Sequence, residues 1–435
     1  MNCARIRHAA ARGVLLTAAC ALLLGCGAVN QSERRKGYER FYDGDMDQAA
    51  VMLEEASNDK NRLLHALDRG MIAHTRGELE ESNRWFAEAE QYLQELLTTD
   101  LSDEVGSFLV NDYRKEYRAE DFEAALIHPI KAINYLLLND REAALVECRA
   151  ANIFLTELQE KYEHKNAYSE SGFARYLSGI IYESEGKLDD ALVDYRLAHA
   201  AFLKYDTLYG TKYPASLRGS IGRVAEARGK PGLLKELGLE DGPRDWVPHA
   251  DKRAAGEIVF ILENGQAPFK REESFHVGTG DQLISFAFPV FERKPTRVAR
   301  ARLVADGAKA KTDLVEDVAS IAVRDLDDRY HRVLVKQVAR ATLKYVEVKK
   351  AQKKNEFLGA LLNVINSVNE RADLRSWETL PANFQIARLF VEPGYHEKVQ
   401  AELLDRNGSV IETVELGGVE LKPGETRFLF YRTLR

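Results

Sequence analysis

The feature that most limits what this chain can fold into is a spaced set of small and bulky residues that recurs through its first half. One copy reads Gly179, Gly186, Ala191, Tyr195 and Ala198, a second Gly70, Gly77, Ser82, Phe86 and Ala89, and a third Gly37, Gly44, Ala49, Leu53 and Ala56. A fourth, Ala132, Asn139, Ala144, Cys148 and Ala151, keeps the spacing with alanine and asparagine in the glycine places. Such a pattern suits two antiparallel helices joined by a tight turn. Small residues let the paired helices approach, Gly or Asn takes the turn, and the bulky residue fills the gap to the next pair. One pair alone buries too little apolar surface, so four copies commit this region to a stacked array.

These spacings resemble the tetratricopeptide repeat, a helix-turn-helix unit of about 34 residues. Gly44 and Gly77 lie 33 residues apart, but Asn139 and Gly186 follow after 62 and 47, so the array is expected to be irregular. An extra helical segment, about Leu101 to Tyr117, precedes the third unit, and a longer linker, about Leu158 to Ser169, precedes the fourth. Pro129 is expected in the first turn of a helix beginning near His128. A half-unit with Gly222 and Gly229, stopped by Pro231 and Gly232, is expected to cap the array. The resemblance implies a concave face made by the first helix of each unit, at Tyr38, Phe41, Tyr42, Leu64, Met71, His74, Phe173 and Tyr176. Two readings of that apolar, aromatic face stand open. It is a groove for a partner's helix or extended segment, or it is filled by the inserted helices or by the second half of the chain. The carboxylate clamp of some repeat proteins needs lysines and asparagines at fixed groove positions; here Arg34 and Tyr38 stand there, and that specificity is not supported.

The N-terminus constrains location. Residues 1–25 hold a basic head with Arg5, Arg7 and Arg12, an apolar run from Val14 to Leu24, and then Gly25 before Cys26, the form of a secretory signal. The run is shorter than the about 20 residues that span a bilayer as a helix. The sequence Leu23-Leu24-Gly25-Cys26 resembles the lipobox of bacterial lipoproteins, which implies cleavage before Cys26, acylation of its thiol and two or three acyl chains in the membrane. The alternative is an ordinary cleaved signal with a chance cysteine. Gly27 stands where an aspartate would mark inner-membrane retention, so the periplasmic side of the outer membrane is expected.

With Cys3 and Cys20 removed and Cys26 acylated, only Cys148 remains in the mature chain, which leaves no intramolecular disulfide. Cys148 is expected as a small buried hydrophobe, with a catalytic thiol the less favoured reading. Losing three arginines with the signal takes 61 bases to 58 against 68 acids, a net charge of −10, which makes nucleic acid a poor partner.

Composition shifts at Gly238 to Pro248, where a second domain is expected to begin. Strands are expected at Glu257–Glu263, Gln282–Val290, Arg297–Ala305, Gln385–Val391, Lys398–Leu404, Val410–Leu416 and Arg427–Thr433, with a helical interval at about Thr312 to Glu370. The chain therefore reads as an α+β multidomain protein. It comprises a signal peptide (1–25), a repeat domain (26–240) and a β-sandwich-like domain with a helical insertion (250–435). Inside the insertion, Lys349, Lys350, Lys353 and Lys354 precede an apolar run from Phe357 to Val368. It reads as a membrane-touching amphipathic segment or as a helical hairpin packed on the sheet. Arg375 and Trp377 are expected to dock a crossing segment onto the sheet.

No P-loop, His-Glu-x-x-His, Cys-x-x-Cys or Gly-x-Ser-x-Gly motif occurs, and no catalytic residue, metal site or cofactor is expected. Asp43, Asp45, Asp47 and Glu54 have calcium-loop spacing, but Gln48 stands where that loop needs glycine. The segment reads better as a repeat turn with Asp45 or Asp47 capping the next helix. Asn134-Tyr135-Leu136 through Glu147-Cys148-Arg149, Gly256 to Pro268, and Asp373-Leu374-Arg375-Ser376-Trp377 to Leu380-Pro381 resemble an uncharacterised bacterial lipoprotein family with a repeat-like N-terminal half. That resemblance implies envelope association and supplies no catalytic residue. The expected function is a non-enzymatic scaffold or adaptor that binds envelope proteins, tethered to membrane lipid through Cys26. The alternative is wall glycan or peptide binding, or a hydrolase activity, in the β-rich half.

Overall fold

A computed structural model describes residues 32–99, 116–161, 168, 170–242, 244–279, 282–328 and 372–434. The signal segment, Cys26, nearly all of the expected helix at 101–117 and the basic-apolar segment at 349–368 lie outside these residues. Four helical hairpins come first: α1 (32–42) with α2 (Met46–Glu55), α3 (Arg62–Arg76) with α4 (Leu79–Thr99), α5 (Asp121–Leu137) with α6 (Arg141–Lys161), and α7 (Gly172–Ser184) with α8 (Leu188–Tyr209). Next come α9 (Ala215–Ala227) and the short helices α10 (Leu233–Glu236) and α11 (His249–Ala254).

The repeat pattern sets this geometry. The turn residues Gly44, Gly77, Asn139, Gly186 and Gly229 have φ of 85°, 79°, 62°, 74° and 66°, the left-handed region that favours Gly and admits Asn. The small residue of each first helix lies against the bulky residue 16 positions later. A Cβ on Gly37 would sit 2.7 Å from Leu53, one on Gly70 2.5 Å from the Phe86 ring, and one on Gly179 inside contact with the Tyr195 ring. The third unit solves the same contact with the sizes exchanged: Ala132 gains a methyl, Cys148 replaces an aromatic, and both are buried. Burial also pushes the Cys148 thiol well up. In the half-unit a Cβ on Gly222 would sit 2.7 Å from Trp246, so a residue beyond the short helix α10 takes the bulky place.

Helix starts follow local chemistry. Asp45 caps α2 by accepting from the Gln48 amide at 3.1 Å. The third unit corrects one expectation: α5 begins at Asp121, and Pro129 lies inside it. A capping box of Glu120 and Glu123 starts the helix, and burial of Pro129 in its apolar face offsets the ~3 kcal/mol that an interior proline costs.

The described residues of the second half hold ten strands: β1 (Gly256–Asn264), β2 (Phe269–Thr279), β3 (Gln282–Glu292), β4 (Arg300–Ala305), β5 (Ala308–Lys311), β6 (Asp313–Glu316), β7 (Asn383–Val391), β8 (Gly394–Leu404), β9 (Val410–Leu421) and β10 (Thr426–Arg432). They form sheets of order β10-β1-β7-β6, β2-β3 and β5-β4-β8-β9. β1 pairs antiparallel with β7 and parallel with β10. All nine of its residues are buried, which explains why its sequence is continuously apolar between Glu257 and Glu263. Ile258, Phe260 and Leu262 face the second four-stranded sheet through Leu303, Val399 and Ala401. Val259 and Ile261 turn the other way, into a core shared with the helical array.

One expectation about the second half is corrected. The expected helical interval opens instead with strand β6, which joins β7, and with a helix, α12 (318–328). β2, β5 and β6 escape a pattern search because β2 is rich in charge and β5 and β6 are four residues each. Among the described residues no helix is long and apolar enough to cross a membrane.

Candidate functional site on the concave face of the repeat array

All eight groove residues named from the sequence lie on inward faces, and none exposes more than 6 % of its surface. The face is occupied by the chain's own second half. Residues 372–382 run across it as a strap without regular secondary structure that turns at Glu378 and Thr379, and the first sheet covers the remainder. The reading of an open groove is therefore corrected in favour of its alternative.

The contacts with the strap are directed at its backbone. Tyr38 donates to the Ser376 carbonyl at 3.4 Å, and Tyr42 donates to the carbonyls of Glu378 and, at 3.1 Å, Leu380. The Trp377 amide donates to Glu123 Oε1 at 2.7 Å. Arg432 reaches back from β10 to the Thr379 carbonyl at 2.6 Å. Side chains set the register. Arg375 donates to Asn61 Oδ1 at 2.9 Å, Thr379 donates to Asp68 Oδ1 at 3.0 Å, and the fully buried Trp377 ring packs 5.9 Å from Phe86. Arg375 and Trp377 thus dock the crossing segment on the helices, not on the sheet.

Burial shapes the charges under the strap. Asp68 accepts from Arg34 at 2.6 Å and from Tyr38 at 3.1 Å. Burial raises its carboxyl to about 6, against the pull of Arg34 and the hydroxyls. The Tyr38 phenol is likewise pushed well up by burial. Glu123 and Glu378 are raised by burial to about 7. His74 lies between Asn134 Oδ1 at 2.5 Å and Glu263 Oε1 at 3.1 Å, with Phe430 at its face. Phe173 stacks on Phe384 of β7 at 5.0 Å, and Tyr176 packs against Tyr195. Leu64 and Met71 join the common core.

A second set of contacts was not weighed in the sequence. Arg388, in the middle of β7, donates to Glu183 at 2.9 Å, Glu257 at 2.6 Å, Tyr195 at 3.1 Å and Ser220 at 2.7 Å. Arg223 holds the same Glu183 at 2.5 Å and Lys252 the same Glu257 at 2.6 Å. Burial would raise both carboxyls, but the cations outweigh it: Glu183 is held well below its ordinary range, and Glu257 at about 2. This buried island joins α7, α9, α11, β1 and β7. The signal for it was charge inside elements that otherwise read as core, since such charges are buried only when paired.

Among the described residues, one cluster has ligand spacing for a metal: Glu90, His128 and Glu147. Lys131 Nζ stands 2.8 Å from both carboxylates, so an ammonium already neutralises them. His128 Nδ1 lies 2.8 Å from Glu147, completing a polar link between α4, α5 and α6.

No family model matches the chain, and no curated protein matches it. Solved structures overlap with the helical half. MamA protein aligns at 16% identity and a TM-score of 0.31, covering 48% of this chain and 88% of that one. The apo form of RapI aligns at 12% identity and 0.34, covering 48% and 67%. BtubC (BKLC) from P. vanneervenii aligns at 17% and 0.35, covering 55% and 88%. Overlaps this loose carry no functional inference, and the repeat architecture rests on the spacing and hairpins of this chain.

Proposed function

We propose that this protein is a non-enzymatic interaction scaffold of the bacterial cell envelope, held by lipid on Cys26 at the periplasmic side of the outer membrane. The observation that supports it is the strap. The array grips a polypeptide segment through hydroxyls, carboxylates and guanidinium groups aimed at main-chain atoms, which is how a repeat surface holds a peptide. Here the peptide belongs to the same chain, and array and sheets form one body that presents its remaining surfaces to partners. Lipid on Cys26 leaves five residues, 27–31, before the array begins at residue 32, so the body stays near the membrane.

The test has two readouts in one strain. Mass spectrometry of the mature N-terminus is expected to show a diacylated Cys26, and cross-linking in intact cells is expected to recover a defined envelope protein that a Cys26→Ser form no longer reaches. An unmodified N-terminus overturns the tether. A wild-type protein that cross-links to nothing reproducibly overturns the scaffold.

A further inference from the structure

We propose that the outer edge of β10 is a docking site for an extended segment of a partner protein, taken up as an additional strand. The inference deepens the scaffold reading and rests on it. The edge is defined by hydrogen-bond parity. The Glu257 amide donates to the Glu425 carbonyl at 2.9 Å and the Thr433 amide to the Glu263 carbonyl at 2.9 Å, with β1 and β10 in parallel register between them. Residues 425, 427, 429, 431 and 433 therefore turn their backbone groups toward β1, because these alternate along a strand. Thr426, Phe428, Phe430 and Arg432 turn theirs outward. β10 is the terminal strand of its sheet, and among the described residues no strand pairs with it on that side.

The rest of the surroundings singles out this edge. Natural proteins blunt open edges with charge, bulges and covering side chains. β9, the end strand of the other sheet, carries such devices: a register shift at Gly417, whose φ is 90°, and the exposed Glu412, Glu415 and Glu420. On β10 two devices are present, the exposed Arg427 and the Arg141 guanidinium on the Thr426 carbonyl at 2.7 Å. Past these, Phe428, whose backbone groups turn outward by the same parity, lines a cleft of about 350 Å³ with Leu136 and Leu137 at the end of α5, Leu416 and Val419 of β9, and the polar Asn139 and Glu420. A strand laid there pairs with the Phe428 backbone. Its side chains on one face fall against the α5 leucines, and those on the other meet β9 beside the exposed Glu420 and Arg427, where polar residues fit. The occupant that fits is an extended peptide with apolar residues at every second position, the strand-addition mode of recognition.

The test uses the whole mature chain, strap in place, as bait for a displayed library of random peptides. Peptides with apolar residues at alternate positions are expected, with binding at least about tenfold weaker to the Leu137→Asp, Leu416→Lys double variant. Both leucines are half-buried, and an unchanged Tm shows that the variant folds. Hydrogen exchange gives a residue-level readout. In the free protein the Phe428 amide is expected to exchange faster than those of Arg427 and Leu429, and bound peptide is expected to slow it selectively. Equal affinity for both proteins, or protection elsewhere, overturns the docking site. Cross-linking to an envelope protein that survives the double substitution leaves the scaffold standing and removes this edge from it; loss of all cross-links in wild type removes both.

Discussion

Arg388→Met is the most exacting test of what joins the helical array to the sheets. Methionine fills much of the aliphatic volume, deprives Tyr195 and Ser220 of a donor, and removes one cation from a buried island of three cations and two carboxylates. Breaking a buried ion pair by deleting one partner costs about 3–5 kcal/mol. Arg223 still faces Glu183 and Lys252 still faces Glu257, so the expected loss is at the lower end, about 3 kcal/mol, or on the order of 100-fold in the folded-to-unfolded ratio. Urea unfolding measures it, and a double-mutant cycle with Glu183→Gln is expected to show about 1–3 kcal/mol of coupling. Acid sensitivity supplies an independent check. Glu257 is held at about 2, below its unfolded value near 4.5, so its contribution is present above 4.5 and is lost as pH falls toward 2. Without Arg388 its folded value rises, and acid unfolding is expected to begin at higher pH. A loss under about 1 kcal/mol, an additive cycle and an unmoved acid midpoint together refute the reasoning.

Three further outcomes follow from the same contacts. Gly70→Ala drives a methyl into the Phe86 ring and is expected to cost about 1–3 kcal/mol, while adding Phe86→Leu should return part of it by copying the Ala132 and Cys148 solution; no favourable coupling in denaturant titrations refutes the size exchange. Trp377→Ala is expected to cost about 3–5 kcal/mol and to speed proteolysis within residues 372–382, because the ring is the strap's buried anchor; unchanged cleavage there refutes it. Glu316, which takes hydrogen bonds from Tyr205 at 3.2 and 3.3 Å, is raised by burial to about 8. Its contribution is therefore complete below about 4.5 and lost as pH climbs through 8, so Glu316→Gln should be more stable than wild type at pH 8 and lose that advantage near pH 4; parallel stability curves refute it.

The helical half was legible because its rules are local. Each turn residue and each small-to-bulky pair lies within one hairpin, and the positive φ at Gly44, Gly77, Asn139 and Gly186 falls where the spacing placed it. Pro129 misled because a capping box that begins nine residues earlier, at Glu120, outweighs it. Strand β1 was legible from its apolar run. The occupant of the concave face was not, because a segment more than 300 residues from Tyr38 along the chain carries no local mark of what it packs against. Arg375 and Trp377 were singled out as docking residues, but only the folded chain shows which surface receives them. Arg388 stands in sequence as a lone charge within an apolar run, which marks it as buried and paired but not with what; its partners come from four other elements.

The parallel pairing of β1 with β10 also governs the order in which this molecule can assemble. Thr426 meets Glu257 across 169 positions, and Arg432 ties Glu263 to the strap's Thr379 carbonyl. Helical hairpins close over short loops and form early, whereas a strand recruited from so far along the chain arrives late. Until it does, the groove side of β1, the strap and the faces of α3 and α5 beneath them have lost a shared neighbour. A chain still on the ribosome therefore carries helices without their cover, and the final strand acts as the latch that turns a string of hairpins into one body.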